Sequence, residues 1–197
     1  MVIFGAGDHG KVVYATLKRL KIPVKGFFDD HVDGNVMDGI TVYRYSPDRF
    51  PDEDVIIAIG QNKLRKKVAG IVRHTLRSVV DPSVLMGEGV RFGEGSMVLM
   101  GAKINISTVI GAHCIINTGS LVEHDCDLGD FVHAGPGSIL CGGVRVGKLS
   151  LVGAGSVVLP RVTIGEECII GAGSVVVEDV QNGTMVAGNP ARVIAAK

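Results

Sequence analysis

Residues 104–122 read INISTVIGAHCIINTGSLV, and the spacing of their aliphatics continues in both directions. Stepped in sixes from residue 98, the chain gives Val98, Ile104, Ile110, Ile116, Val122, Leu128, Ala134, Leu140, Val146, Val152, Val158, Ile164, Ile170 and Val176. All are apolar. Four residues after each sits a compact residue, as at Ala102, Thr108, Cys114, Ser120 and Cys126. A period of six is neither the 3.6 of a helix nor the 2.0 of a two-sided strand. It is the period of a parallel β-helix, in which each hexad supplies one short strand and one corner. The β-branched residue packs inward, the compact one fits the narrow interior, and the Gly that often follows the aliphatic eases the bend. Three hexads make a coil, so residues eighteen apart are vertical neighbours. Fourteen hexads give between four and five coils, roughly 20–25 Å of prism at about 4.8 Å per coil. Val84 and Val90 read as hexads two residues out of phase, a loose first coil closing the open end.

Ahead of the repeat the pattern changes. Val2-Ile3-Phe4 leads into Gly5-Ala6-Gly7-Asp8-His9-Gly10 and then a helical stretch from Lys11 to Leu20. A glycine turn between strand and helix lets a phosphate approach backbone N–H groups at the helix N-terminus. Asp29 and Asp30 end the next apolar run, about 20 residues on, where a ribose-binding carboxylate is expected. Residues 55–60 form a buried strand. Gln61 and Asn62 are placed to cap the helix after it, with Leu64, Val68, Ile71 and Val72 on its packed face and Arg65, Lys66 and Lys67 largely on its solvated one. Leu76 to Val80 reads as a last strand, broken by Asp81-Pro82. The expected architecture is an α/β N-terminal Rossmann-like half-domain (1–80) followed by a left-handed parallel β-helix of hexapeptide repeats (81–182) and a C-terminal tail (183–197). Half a dinucleotide fold favours a nucleotide or nucleotide-sugar over NAD.

Composition narrows the function. Twenty Lys and Arg balance twenty Asp and Glu, which argues against a sequence-independent nucleic-acid binder. No apolar run is long enough to span a membrane and no leader precedes the first strand, so a cytoplasmic protein is expected. The four Cys read as small core fillers in a reducing compartment, since no CxxC occurs.

Vertical arithmetic singles out one place. His124 stacks on Gly142 and Asp125 on Gly143, which sets an imidazole–carboxylate pair beside bare backbone. Asn117 stacks on Gly135. His133 points outward, half a coil from His124, so the two meet only across an interface between chains.

The Gly5–Gly10 turn, Phe28-Asp29-Asp30, Ile59-Gly60-Gln61-Asn62, Asn117 to Cys126, and Ala187 to Arg192 together resemble the bacterial sugar O-/N-acyltransferases. These include N-acetyltransferases of nucleotide-linked 4-amino-sugars and O-acetyltransferases of sialic acid. The resemblance spans nearly the whole chain and implies a homotrimer with acetyl-CoA bound between neighbouring chains and no metal. It makes His124 the general base and Asp125 its orienting carboxylate, with Glu123 the competing orienter. Asn117, His133, Gly142, Gly143, Asn189, Pro190 and Arg192 would line the acetyl-CoA site. Gly7, His9, Asp29, Asp30, Gly60 and Asn62 would hold the nucleotide-linked amino-sugar. The favoured activity is N-acetylation of a nucleotide-linked 4-amino-6-deoxyhexose. The alternatives are O-acetylation of sialic acid or another sugar, and a non-catalytic nucleotide-sugar binder. A zinc hydratase of the same β-helix class would need three convergent His, and His113, His124 and His133 are spaced eleven and nine apart.

Overall fold

The computed structural model describes residues 1–31 and 34–196. The chain begins with β1 (Val2–Phe4), α1 (Asp8–Arg19), β2 (Gly26–Phe28), β3 (Val36–Met37), β4 (Ile40–Tyr43), β5 (Val55–Ile57) and α2 (Asn62–Ala69). Their sheet has the order β3-β4-β2-β1-β5 and is parallel except for the β3–β4 hairpin. β1, β2 and β5 are buried along their whole length, as continuous apolar runs in a parallel sheet should be.

The rest is a prism of two-residue strands. One face stacks Val79–Val80, Met97–Val98, Ile115–Ile116, His133–Ala134, Leu151–Val152 and Ile169–Ile170. A second runs from Leu85–Met86 through Leu121–Val122 and Ile139–Leu140 to Val175–Val176. A third runs from Arg91–Phe92 through Asp127–Leu128 to Thr163–Ile164. Every pairing on the second and third faces is eighteen residues apart. Strands Thr184–Gly188 and Ala191–Ala196 form an antiparallel hairpin that continues the first face.

Three expectations change here. The first coil is not out of phase: Met86 pairs with Ile104 and Phe92 with Ile110, so Val80, Met86 and Phe92 extend the series, adding a coil. Val84 and Val90 occupy the compact slots instead, packed against the core. Val79–Val80 pairs with Met97–Val98 in the prism, and Leu76 makes an isolated bridge back to Val55 of β5. The glycines after the aliphatics serve close approach between coils rather than the bend. A Cβ on Gly147 would come 2.6 Å from the Glu166 nitrogen. The left-handed residue falls two positions later in each corner, where Ser107, Asp125, Phe131, Leu149 and Arg161 all have positive φ.

The compact slots carry hydrogen bonds as well as volume. Ser96, Ser150 and Ser156 donate to the carbonyls of Gly111, Gly165 and Gly171, and Thr108 to that of Glu123. The Cys114 thiol is aimed at the Gly129 carbonyl, and burial raises its pKa to about 12, so it stays protonated. These side chains satisfy corner carbonyls that point into a dry interior.

Candidate functional site

His124 and Asp125 occupy the corner between Leu121–Val122 and Asp127–Leu128, on the edge where the second and third faces meet. That edge lies opposite the first face. Asp125 takes the left-handed turn position, φ +58, which Asp tolerates better than most residues. Its Oδ2 lies 2.8 Å from His124 Nδ1. An ionised carboxylate accepts only, so the proton sits on Nδ1 and Nε2 presents its lone pair. The ring is half exposed.

Gly142 lies directly over Nε2. A Cβ there would stand 2.6 Å from that atom and 2.7 Å from Cε1. The Gly143 N–H is committed to the His124 carbonyl at 2.9 Å. The Gly142 N–H, by contrast, has no partner among the described residues. The pair expected to supply backbone donors thus offers one. A shallow cleft of about 310 Å³, bounded by these residues with Pro160 and Arg161, opens beside the imidazole. Glu123 is turned away: its Oε2 accepts from Asn105 Nδ2 at 2.8 Å, one coil below.

The glycine turn builds a second cleft, of about 480 Å³, lined by Gly7, Asp8, His9, Asp29, Asp30, Gly60 and Lys67 among others. Gly10 is forced by packing, because a Cβ there would lie 2.1 Å from the Gly5 carbonyl oxygen. Asp29 braces the turn by accepting from the Ala6 and His31 N–H groups, at 2.9 and 3.0 Å, and Asp30 accepts from the Tyr45 N–H. Leu64 and Ile71, expected to pack, are 40% and 51% exposed and line this cleft.

The buried face of α2 is Asn62, Arg65 and Val68. Asn62 makes no side-chain cap and does not line the cleft. Its Nδ2 donates to the Leu149 and Ser150 carbonyls, and its Oδ1 accepts from Arg65. Its amide is spent on docking the helix to the prism, which removes it from the nucleotide-sugar contacts expected of it.

His133 does point outward, toward the first domain. Its Nδ1 lies 3.2 Å from the Gly60 carbonyl oxygen, so Nδ1 carries the proton, and Nε2 accepts from Asn117 Nδ2 at 2.9 Å. Its ring centroid is 6.3 Å from that of His9, whose Nε2 is buried without a partner. Burial and then the charge on Arg65 hold both imidazoles down to about 4. His133 and Asn117 therefore stand on the side of the prism that meets the first domain, away from the His124 edge. Within one chain the residues expected around acetyl-CoA between neighbouring chains fall on two sides of the prism. Gly142 and Gly143 share the edge with His124. Arg192 is higher on that edge, beside Glu178, in a cleft of about 380 Å³ that also includes Val176 and Ala191. Asn189 and Pro190, joined by a cis bond, form the adjoining hairpin turn.

His113 stacks on Phe131 at 4.8 Å, at another corner, so the three imidazoles do not converge. No group of three or more metal-ligating side chains occurs among the described residues. No helix among them is long and apolar enough to cross a membrane.

Residues 1–72 match the PglD N-terminal domain, and residues 150–178 match the bacterial transferase hexapeptide (six repeats). GDP-perosamine N-acetyltransferase of Escherichia coli O157:H7 is 30% identical over 148 residues, covering 69% of this chain and 67% of that one. PerB from Caulobacter crescentus, solved in complex with CoA and GDP-perosamine, superposes with a TM-score of 0.93 at 37% identity, covering 98% of this chain and 96% of that one. The acetyltransferase domain of PglB from Neisseria gonorrhoeae FA1090, solved with acetyl coenzyme A, gives 0.89 at 33% identity over 98% of both chains.

Proposed function

The chain belongs to the bacterial sugar acyltransferases that join a PglD N-terminal domain to a hexapeptide-repeat β-helix, and from that membership we propose that it moves an acetyl group from acetyl-CoA to the 4-amino group of a nucleotide-linked 4-amino-6-deoxyhexose. The observation that carries the reading is His124 Nε2 facing the bare backbone of Gly142 with Asp125 on its other nitrogen.

In this reading His124 Nε2 takes a proton from the sugar amine as the nitrogen attacks the thioester carbonyl. Asp125 holds the tautomer and balances the imidazolium. The Gly142 N–H donates to the developing oxyanion. As the C–S bond breaks, the imidazolium returns the proton to the leaving sulfur. The products are the N-acetyl sugar and free CoA. Direct transfer needs no acyl-enzyme and no metal. Gly142 also supplies the fit, since a side chain there would push the imidazole out of place.

Along the same edge His124, Gly142, Pro160 and Glu178 follow at eighteen-residue steps. Three coils span about 14 Å, a length that an extended pantetheine arm covers on its way to Arg192 and the Asn189–Pro190 turn. Gly7, His9, Asp29, Asp30 and Gly60 hold the nucleotide-sugar in the glycine-turn cleft.

That cleft and His124 lie on opposite sides of one prism, so the acceptor reaches the base from a neighbouring chain. The outer positions of the second face, Leu85, Leu121, Ile139, Val157 and Val175, are apolar apart from Lys103. Such a face favours burial against another copy, and a homotrimer brings the His124 edge of one chain toward Asn117 and His133 of the next. The four cysteines are unpaired, which suits the cytoplasm.

The test is a panel of UDP-, GDP- and dTDP-linked 4-amino-sugars with acetyl-CoA, read as released thiol. Turnover with at least one is expected. Turnover with sialic acid and none of these would transfer the assignment to O-acetylation, and a lack of thiol release with every acceptor would remove the catalytic reading.

A further inference from the structure

Among the described residues Arg65 is the largest side chain wholly closed to solvent. Each of its five N–H groups has an acceptor, and every acceptor is neutral. Nε donates to the His113 carbonyl at 2.8 Å. Nη1 donates to the carbonyls of Ile59 and Gly60 at 2.8 and 3.2 Å. Nη2 donates to Asn62 Oδ1 and the Phe131 carbonyl at 2.8 and 3.0 Å. The fork thus ties α2 and the strand end before it to two corners of the prism. A buried cation is ordinarily matched by a carboxylate. Among the described residues none pairs with Arg65. Burial lowers its pKa only to about 10, so at neutral pH it remains charged.

This charge sits behind the wall of the glycine-turn cleft. The Gly60 carbonyl that it grips belongs to a residue lining that cleft, and the same carbonyl anchors His133. After burial, its field is the second cause that depresses the protonation of His9, another lining residue. The cleft rim itself carries Asp8, Asp29 and Asp30 against Lys67. Asp8 is offset by Lys11 at 3.1 Å, which leaves Asp29 and Asp30 against Lys67, so the rim offers an anionic ligand no net positive charge. In a low-dielectric setting a fixed unpaired charge acts over several ångströms.

We propose that Arg65 is a positioning residue and the fixed counter-charge for the diphosphate of the nucleotide-sugar, acting from beneath the cleft through its field and through Gly60 without touching the ligand. This rests on the nucleotide-sugar reading of the cleft.

The experiment measures calorimetric affinity for UDP, GDP and dTDP and for the matching nucleosides uridine, guanosine and thymidine. It is done on the native chain and on two variants. Arg65→Met removes the charge. Asn62→Asp keeps the guanidinium and sets a carboxylate on Nη2. In both, the affinity for the diphosphate that the native chain prefers should fall at least about tenfold while nucleoside affinity stays within about twofold. CoA affinity should not change. A folded variant that keeps the native preference for diphosphate over nucleoside would overturn the proposal. So would equal losses for nucleoside and diphosphate, which would mark a distorted cleft. If Arg65→Met does not fold, Asn62→Asp decides. A native chain with no preference for diphosphate would sink the nucleotide-sugar reading itself, a result distinct from the other two.

Discussion

The His124 imidazole fills the space a Gly142 side chain would take, with Nε2 2.6 Å from the position of the missing Cβ. The two residues are eighteen apart in sequence and one coil apart in space. Replacing His124 with Asn keeps a polar side chain but removes the base. Steady-state turnover should fall at least about 10²-fold, with CoA affinity retained. Turnover within severalfold of native would remove His124 from the role.

Gly142→Ala tests the other partner. Gly142 has no positive φ, so the methyl group brings no backbone strain and must push the imidazole aside. Activity should drop at least about tenfold with the melting temperature nearly unchanged. Gly143→Ala should do the reverse. Its φ of +70 makes the substitution cost about 1 kcal/mol in stability. Equal effects of the two changes on turnover would contradict this geometry.

Asp125→Asn preserves a residue that accepts the left-handed turn but discards the charge beside Nδ1. The pH–rate profile should lose height by at least about tenfold across its range, because the imidazolium formed during transfer loses its stabilising carboxylate. Glu123→Gln should leave the profile in place, since Glu123 is held by Asn105. The opposite ranking would make Glu123 the orienter.

Acid should weaken the fold before the carboxylates titrate. His9 and His133 have folded pKa values of about 4, below the 6.5 of the free side chain. The folded state therefore binds fewer protons than the unfolded one below pH 6.5. Stability is full above that pH and is lost as the pH falls toward 4, by roughly 2 kcal/mol per group at pH 5. Urea midpoints at pH 7.5, 6 and 5 measure the loss, and His133→Gln should flatten it. A midpoint constant across that range would refute the burial of both neutral rings.

The apolar outer face predicts association. Light scattering should give three copies of the 20.6 kDa chain. Ile139→Lys, in the middle of that face, should give one copy and no turnover. A native chain that is monomeric and active would dispose of the shared site.

The period of six makes the prism legible, because inward packing repeats at every coil, and the step of eighteen is enough to set His124 on Gly142. The first coil is not legible in this way, because Met86 and Phe92 are bulky where the later inward residues are compact aliphatics, while Val84 and Val90 look like pattern-setters in the slot positions. Arg65 escaped altogether. A basic residue in an Arg-Lys-Lys run reads as solvated, and no local pattern reveals that its acceptors are carbonyls from residues 113 and 131. His133 was correctly turned outward, but its neighbours lie 73 and 16 residues away, beyond any short-range signal.

The edge that carries His124, Gly142, Pro160 and Glu178 behaves as a ruler. Removing or adding one whole coil between Pro160 and Glu178 would slide the Arg192 turn by a single graduation and leave the reacting end where it is. Such a protein could be recalibrated for donors of different length by copying or deleting eighteen residues, with no change to its chemistry.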